Sequence, residues 1–414
     1  MQALTVVIIN DASIARGGAT GLALVQARML RALGLRVVFV AGDAGANPEL
    51  EALGVEMRPL GGTHLMKATP VAAATRGLYN PAARDHLARV IAEVDSPQTV
   101  YHVHGFSKTL TPSIFAALAA VQRRCFLHAH DYFLGCPNGG FMDYRAMQPC
   151  TRVPLSAGCL ATHCDKRSYP QKLWRVARQA ALWRTLGRRG PWAGVLMIHP
   201  GMAPALQRSG YPAERLITLR NPAVAFRTDR VQAERNQRLV FVGRVEAEKG
   251  IEDLITAADM AQVPLVVIGD GPLREALQAQ HPKVEFRGWM TRDQIGAAIG
   301  DARALVMPSR YPEPFGLVAA EASLSGLPVI LPDTALLGPE VLARDLGLVC
   351  DTRNPVAFAA TLRQMADLPP ARIEAISRKG HAGTAALCAT PDDWIAAQIA
   401  LYEVVAGKAM PIAG

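Results

Sequence analysis

Short apolar runs of strand length alternate with helix-length amphipathic segments along nearly all of this 414-residue chain. Such alternation restricts the fold to parallel sheets covered by helices on both faces. Residues 4–9 read as a strand before a helix at 21–33, residues 36–40 before 48–53, and residues 99–103 before 112–121, with a further strand at 125–128. The pattern pauses over 131–190, resumes at 194–199 and 215–219, and turns at Asn221-Pro222. The polar stretch 227–238 reads as a linker, because a second series starts directly after it: 239–242 with 250–260, 264–268 with 272–280, and 284–287 with 292–299. The expected architecture is α/β, with two doubly wound Rossmann-like domains, 1–225 and 226–388. They should face across a cleft at the carboxyl ends of their strands, where such sheets bind ligands. A last helix near 392–405 lies beyond the second sheet.

Half the residues are apolar, which excludes a disordered chain and leaves an enzyme-sized globular one. The N-terminal apolar run has no basic segment before it, so it reads as a first strand and not as a signal peptide. No 18 uncharged apolar residues run together, and the expectation is a cytoplasmic protein. The net charge of +9 is concentrated in 166–189, which holds eight basic residues and no acidic one. The segment's apolar residues Leu173, Val176, Ala180 and Trp183 recur at helical spacing, which fits either a packed amphipathic helix or peripheral docking on an anionic membrane. No zinc-finger, RNA-recognition or helix-turn-helix pattern accompanies it, so nucleic acid is not an expected partner.

Residues 304–330 say most about chemistry. An apolar strand leads into a proline-rich loop carrying Glu313, a helix starts near Phe315 and ends by Gly326, and Glu321 lies on that helix. Backbone N–H groups of Phe315, Gly316 and Leu317, at the positive end of the helix dipole, suit a diphosphate or polar hydroxyls. At ~1.5 Å rise per residue, Glu321 lies about 6–9 Å further along, roughly the span from sugar to ribose. The ordered set Pro308, Ser309, Glu313, Pro314, Phe315, Gly316, Glu321, Ala322, Gly326, Pro328 and Val329 resembles the donor motif of the GT-B glycosyltransferases, in particular the retaining family-four type.

The resemblance extends to other positions. Arg244 and Lys249 stand in the family's Gly-Arg-x-x-x-x-Lys-Gly pattern, where two cations would neutralise a leaving diphosphate. Gly269 and Gly271 of Gly-Asp-Gly-Pro, with Arg287 after them, would lie beside the donor nucleotide; the third glycine of a dinucleotide fingerprint is missing. Gly17 and Gly18, after Arg16 and between the first strand and helix, resemble the family's diphosphate loop. His130 of His130-Asp131 matches a histidine that contacts the transferred sugar, although His102, His104 and His128 crowd the same region. By the same resemblance, residues 389–414 should cross back onto the first domain.

Four of the seven cysteines, Cys136, Cys150, Cys159 and Cys164, fall within the irregular segment 131–190. They fit either a structural zinc site or separate buried thiols, and their spacing lacks the short Cys-x-x-Cys knuckle. No Asp-x-Asp motif is present, so no cofactor is expected for catalysis beyond the sugar nucleotide itself. The expected activity is retaining, metal-independent transfer of a sugar from a nucleoside diphosphate to a glycan or lipid-linked acceptor, of the kind used in bacterial polysaccharide or lipopolysaccharide assembly. The rivals are a sugar-nucleotide 2-epimerase of the same fold, which would need no acceptor, and a non-catalytic sugar-nucleotide-binding scaffold. A nicotinamide oxidoreductase fits least well.

Overall fold

The computed structural model describes residues 4–15 and 17–407; residues 1–3, Arg16 and residues 408–414 lie outside the described residues. The chain divides into two compact units. Met1–Phe141, Thr151–Leu219 and Asp392–Gly414 form the first, and Met142–Cys150 with Arg220–Pro391 the second.

The first unit is built on β1 (Thr5–Asn10), β2 (Arg36–Ala41), β3 (Glu56–Pro59), β4 (Thr99–Val103) and β5 (Cys125–Ala129). A short antiparallel pair, β6 (Met142–Asp143) and β7 (Gln148–Pro149), precedes β8 (Gly194–Met197) and β9 (Leu216–Thr218). Seven of these strands form one parallel sheet in the order β3-β2-β1-β4-β5-β8-β9. The second unit carries β10 (Arg238–Val242), β11 (Leu265–Ile268), β12 (Glu285–Gly288), β13 (Ala302–Val306), β14 (Val329–Pro332) and β15 (Gly347–Cys350). They pair in parallel in the order β12-β11-β10-β13-β14-β15. Both sheets grow outward from their first strand in one direction and then restart on its other side. The carboxyl ends of β1 and β4, and of β10 and β13, are therefore the switch points where such sheets open to a ligand.

The central strands are apolar without alternation because helices cover both faces: Val6, Val7, Ile8 and Ile9 have no exposed surface. The edge strands β3 and β15 are only half-buried and carry a weaker apolar signal, which is why the sequence reading passes over them.

The division into units differs by a few residues from the expected 225/226 and 388/389, falling at Leu219–Arg220 and Pro391–Asp392. Residues 227–238 are not a free linker. The Phe226 amide donates to Ser325 Oγ at 2.9 Å, the Val231 amide to Ser325 O at 2.9 Å, and Arg230 to Ser377 Oγ at 2.7 Å. The polarity of this stretch thus fastens it to the second unit. The helix Pro391–Val405 belongs to the first unit and buries Trp394, Ile395, Gln398 and Tyr402, with Tyr402 5.7 Å from the Phe126 ring.

The basic segment folds as the helix Tyr169–Leu186, capped by the Ser168 side chain and ended by left-handed Gly187. Its inward face is Lys172, Gln179, Leu182 and Leu186, not the apolar stripe expected from the sequence, and Leu173 is 44% exposed. Arg175 pairs with the buried Asp165 at 2.9 Å. Arg178 donates to Gly77 O at 3.0 Å and Ser107 O at 2.6 Å, and Arg188 lies 3.5 Å above the Trp183 ring. With Lys172, four of the eight cations therefore hold the insertion together. Among the described residues no helix is long and apolar enough to cross a membrane.

Candidate functional site

Glu313 lies in the loop that carries the chain from β13 to the helix Leu317–Leu324. Its carboxylate accepts from Ser309 Oγ at 2.9 Å and forms an ion pair with Lys249. Lys249 reaches it from the 3₁₀ turn Ala247–Lys249 after β10, where Gly250 is left-handed at φ 70°. A Cβ at Gly250 would meet Pro308 O at 2.1 Å, so only glycine lets this turn press against the loop. Arg310 secures the loop from the other side through a two-pronged pair with Asp253 at 2.5 Å, a contact with no signature in the sequence. Phe315 is buried and anchors the helix start, while Gly316 caps it at φ 81°. The Leu317 and Val318 amides come before any intrahelical partner exists and remain donors for a ligand.

Glu321 is on the same helix and pairs with Arg292 at 2.5 Å. Burial pushes its carboxyl pKa up, and Arg292 works in the opposite direction. Arg292, which sequence reasoning missed, also donates to Ala225 O at 3.0 Å and lies 5.0 Å from the Phe226 ring. Arg244, just after β10, is 68% exposed and among the described residues pairs with Glu246 alone, at 2.7 Å, through one of its guanidinium nitrogens.

Gly269 and Gly271 have a steric explanation. A Cβ on Gly269 would stand 1.8 Å from Gly243 O, and one on Gly271 2.4 Å from Val245 O, because the loop after β11 is pinned to the end of β10. The pins are hydrogen bonds donated by the Gly243 amide to Ile268 O at 3.0 Å and by the Val245 amide to Asp270 O at 2.9 Å. The Arg287 side chain donates to Glu285 at 2.7 Å and Ala298 O at 3.1 Å, while the expectation from the sequence concerned the backbone here, beside the base. The residue left open beside it is Trp289, 72% exposed after β12. An exposed tryptophan at a strand's carboxyl end is the signal the sequence reading overlooked.

In the first unit, Gly17 and Gly18 are exposed at the start of the helix Gly18–Ala32, and a Cβ on Gly17 would meet nothing within 4 Å. His130 follows β5. Its Nε2 lies 2.8 Å from His104 Nδ1 and its ring stacks 4.0 Å from His128. Asp131 does not pair with it: this carboxylate accepts from the Phe133 amide at 2.9 Å, and burial pushes its pKa up to about 6.

Burial and mutual proximity hold His102, His104 and His128 well below the ordinary imidazole pKa, and desolvation pulls His130 down to about 3. A group whose folded pKa is depressed stabilises the fold above its unfolded value near 6.5 and loses that contribution as pH falls toward the folded value. For His130 the loss between pH 7 and pH 5 is on the order of 2 kcal/mol, and neutralising Asp131 offsets part of it over the same interval. With three more histidines on the losing side, melting temperature should fall between pH 6.5 and pH 5, above the range of ordinary carboxylates. A thermal scan that is flat over that interval would refute the neutral buried cluster.

The cysteines are not gathered into one ligand set. Cys150 belongs to the second unit's Met142–Cys150 segment, whereas Cys136, Cys159 and Cys164 belong to the first unit. The Lys172 ammonium sits 3.2 Å from Cys164 Sγ and 3.5 Å from Cys159 Sγ, so a fixed cation already occupies the space between those thiols. Among the described residues, the one group of three with ligand atoms within 4.8 Å of one another is His102, His104 and His128.

Residues 225–380 match the family described as glycosyl transferases group 1. The glycogen synthase of Mycobacterium tuberculosis is 34% identical over 262 residues, a match spanning 59% of this chain and 61% of that protein. Among solved structures, sucrose-phosphate synthase of Thermosynechococcus elongatus superposes with a TM-score of 0.70 at 18% identity over 98% of this chain and 100% of its own. Anabaena Alr3699/HepE in complex with UDP gives 0.65 at 18% identity over 96% and 98%. The fold is thus that of the GT-B glycosyltransferases.

Proposed function

We propose that this chain, whose residues 225–380 carry the group 1 glycosyltransferase sequence, is a retaining enzyme that moves a sugar from a nucleoside diphosphate to an acceptor bound by the first unit. The observation that carries the reading is the constellation of Glu313, Ser309 and Lys249 beside the open amides of Leu317 and Val318. Glu313 would bind sugar hydroxyls and orient the ring, and Glu321 would bind ribose. Lys249 and Arg244, with the helix amides, would take the diphosphate. As the sugar bond breaks, negative charge grows on the leaving phosphate. Fixed cations stabilise it there, while its oxygen receives the acceptor's proton on the same face of the ring. The base would lie beside Gly269 and Gly271, with Trp289 as a stacking surface.

The test is a panel of UDP-, GDP- and ADP-sugars in a thermal-shift assay. A donor present at 100 times its Kd stabilises the fold by about 2.7 kcal/mol. One base should stand out, Arg244→Ala should weaken binding of the free nucleoside diphosphate by roughly tenfold, and transfer should survive excess chelator. Silence across the panel would overturn the reading, and a requirement for added magnesium would overturn the role of the cations. Conversion of the donor without any acceptor would move the chain to the epimerases.

Surface polysaccharide or lipopolysaccharide assembly, with a lipid-linked acceptor at the inner face of a membrane, remains the setting we propose. Lys166, Arg167, Arg184 and Arg189 are the exposed cations of the basic segment that would meet anionic lipid. Sedimentation with anionic liposomes should fall with salt and with these four residues changed to glutamine. Salt-insensitive binding would remove the membrane from the proposal.

A further inference from the structure

Four histidines stand on one side of the first unit's sheet: His102 and His104 two residues apart on β4 and after it, His128 and His130 likewise on β5 and after it. Their ring nitrogens meet each other and three side chains from helices. Gln26 comes from the helix Gly18–Ala32, and Gln398 and Tyr402 come one turn apart from the helix Pro391–Val405. All three are fully buried.

The protons in this cluster can be assigned from one backbone atom outward. Trp394 O can only accept, so the group 3.2 Å away is the Gln398 amide nitrogen and Gln398 Oε1 is an acceptor. Gln26 Nε2 donates to that oxygen, which orients the Gln26 amide and leaves its Oε1 facing His104 Nε2 at 2.8 Å. His104 Nε2 therefore carries a proton, and its Nδ1 is a lone pair. That lone pair lies 2.8 Å from His130 Nε2, which must carry a proton in turn. His130 Nδ1 is left as a bare lone pair, and it is a buried atom with no partner.

The other side of the same amide gives a second branch. His102 Nδ1 meets both Gln26 Nε2 at 2.9 Å and the Tyr402 hydroxyl, and His102 Nε2 lies 3.0 Å from His128 Nδ1. Because a hydroxyl can donate or accept, this branch admits either sense of proton order, and it ends on His128 Nε2, buried and without a partner among the described residues. The first branch admits one sense: His104 and His130 are neutral Nε2–H tautomers. An unmet buried acceptor such as His130 Nδ1 is costly unless a ligand or water completes it.

We infer that Gln26, clamped by Gln398 of the C-terminal helix, is a positioning residue that holds His130 in its Nε2–H tautomer so that Nδ1 accepts a hydrogen bond from a hydroxyl of the bound sugar. The identity of that hydroxyl rests on the transferase reading above, whereas the tautomer does not. Deleting the clamp frees the Gln26 amide to turn over. His104 Nε2 would then face a donor, and the proton on His130 would move to Nδ1, where it repels a hydroxyl hydrogen instead of accepting it. The same ring nitrogens would be the ligands of any metal in this cluster, so a bound ion and this proton pattern exclude each other.

Histidine-labelled full-length protein settles the matter by nitrogen-15 NMR correlations that report which ring nitrogen bears the proton. The free wild-type protein at neutral pH should show all four histidines neutral, with His104 and His130 protonated on Nε2. A His130 protonated on Nδ1, a charged His130, or stoichiometric metal by elemental analysis that disappears in His104→Phe would overturn the inference. In Gln398→Leu, the His130 signal should divide between tautomers, and turnover should fall ~10-fold or more with nucleoside diphosphate affinity unchanged. A Gln398→Leu protein that keeps a single Nε2–H tautomer and normal turnover would overturn the clamp. The wild-type spectrum decides the tautomer even where that variant does not fold. A chain that transfers no sugar yet shows the assigned tautomers would refute the function and leave the proton pattern standing.

Discussion

Glu313→Ala should abolish sugar transfer while leaving a folded protein. The carboxylate is held from two directions, by Ser309 Oγ at 2.9 Å and by the Lys249 ammonium, at the mouth of a helix whose first amides are open. A group restrained in that way contributes orientation, and loss of orientation costs about 100-fold or more in turnover. Its stability role is smaller. The pair is 24% and 13% exposed, so the orphaned ammonium regains water and the fold loses about 1–2 kcal/mol, a few degrees of melting temperature. Glu313→Gln should retain more stability, because the amide can still accept from Ser309 and Lys249, yet it should be nearly as inactive. Turnover and melting temperature need to be read on the same preparation. A folded Glu313→Ala protein with turnover within a few-fold of wild type would remove Glu313 from the mechanism, and the donor-loop argument with it.

Gly269→Ala should have the largest effect on stability. Gly269 sits at φ 141°, a region that residues with a Cβ rarely enter, and its added carbon would fall 1.8 Å from Gly243 O. The atoms it would meet are all backbone of Gly243, directly after β10, and none is a flexible side-chain tip, so relief requires moving the loop after β11 away from the end of β10. Strain of this kind costs about 1–3 kcal/mol for the dihedral alone, and the clash should bring the total above ~4 kcal/mol. For a unit of this size that is a fall of roughly 10 °C in melting temperature, or failure to fold. Gly17→Ala is the contrast. Its backbone is extended and its Cβ would meet open space, so stability should change by less than about 1 kcal/mol. If the Gly17 backbone does receive the diphosphate, Gly17→Ala should lose affinity for it without losing melting temperature. A stable Gly269→Ala protein would show that the loop after β11 can shift, and would return Gly269 to the ligand-contact role that the sequence alone suggested.

The order of the elements and the local chemistry of the donor loop were legible in the sequence, since both depend on residues near one another in the chain. Apolar runs buried on both faces named the central strands. The spacing of Pro308, Ser309, Glu313 and Gly316 named a loop ending in a helix start, because caps, prolines and glycines act on their own backbone. What lay beyond reach were contacts between residues far apart in sequence. Nothing in 166–189 reveals that Lys172 is buried among thiols or that Arg178 is used by the carbonyls of Gly77 and Ser107, so a charge-rich face looked free when half its cations were internal. The pairing of the Arg287 side chain with Glu285, and the exposure of Trp289 beside it, were equally out of reach. His130-Asp131 looked like a pair because the two are adjacent, yet Asp131 accepts from the Phe133 amide and the partner of His130 is His104, directly after the neighbouring strand β4. The sequence by itself determined which residues could carry charge, protons or a tight turn. Tertiary structure decided which were already satisfied, because burial leaves no polar group unpaired without cost, and the pairing partner is chosen by packing in space.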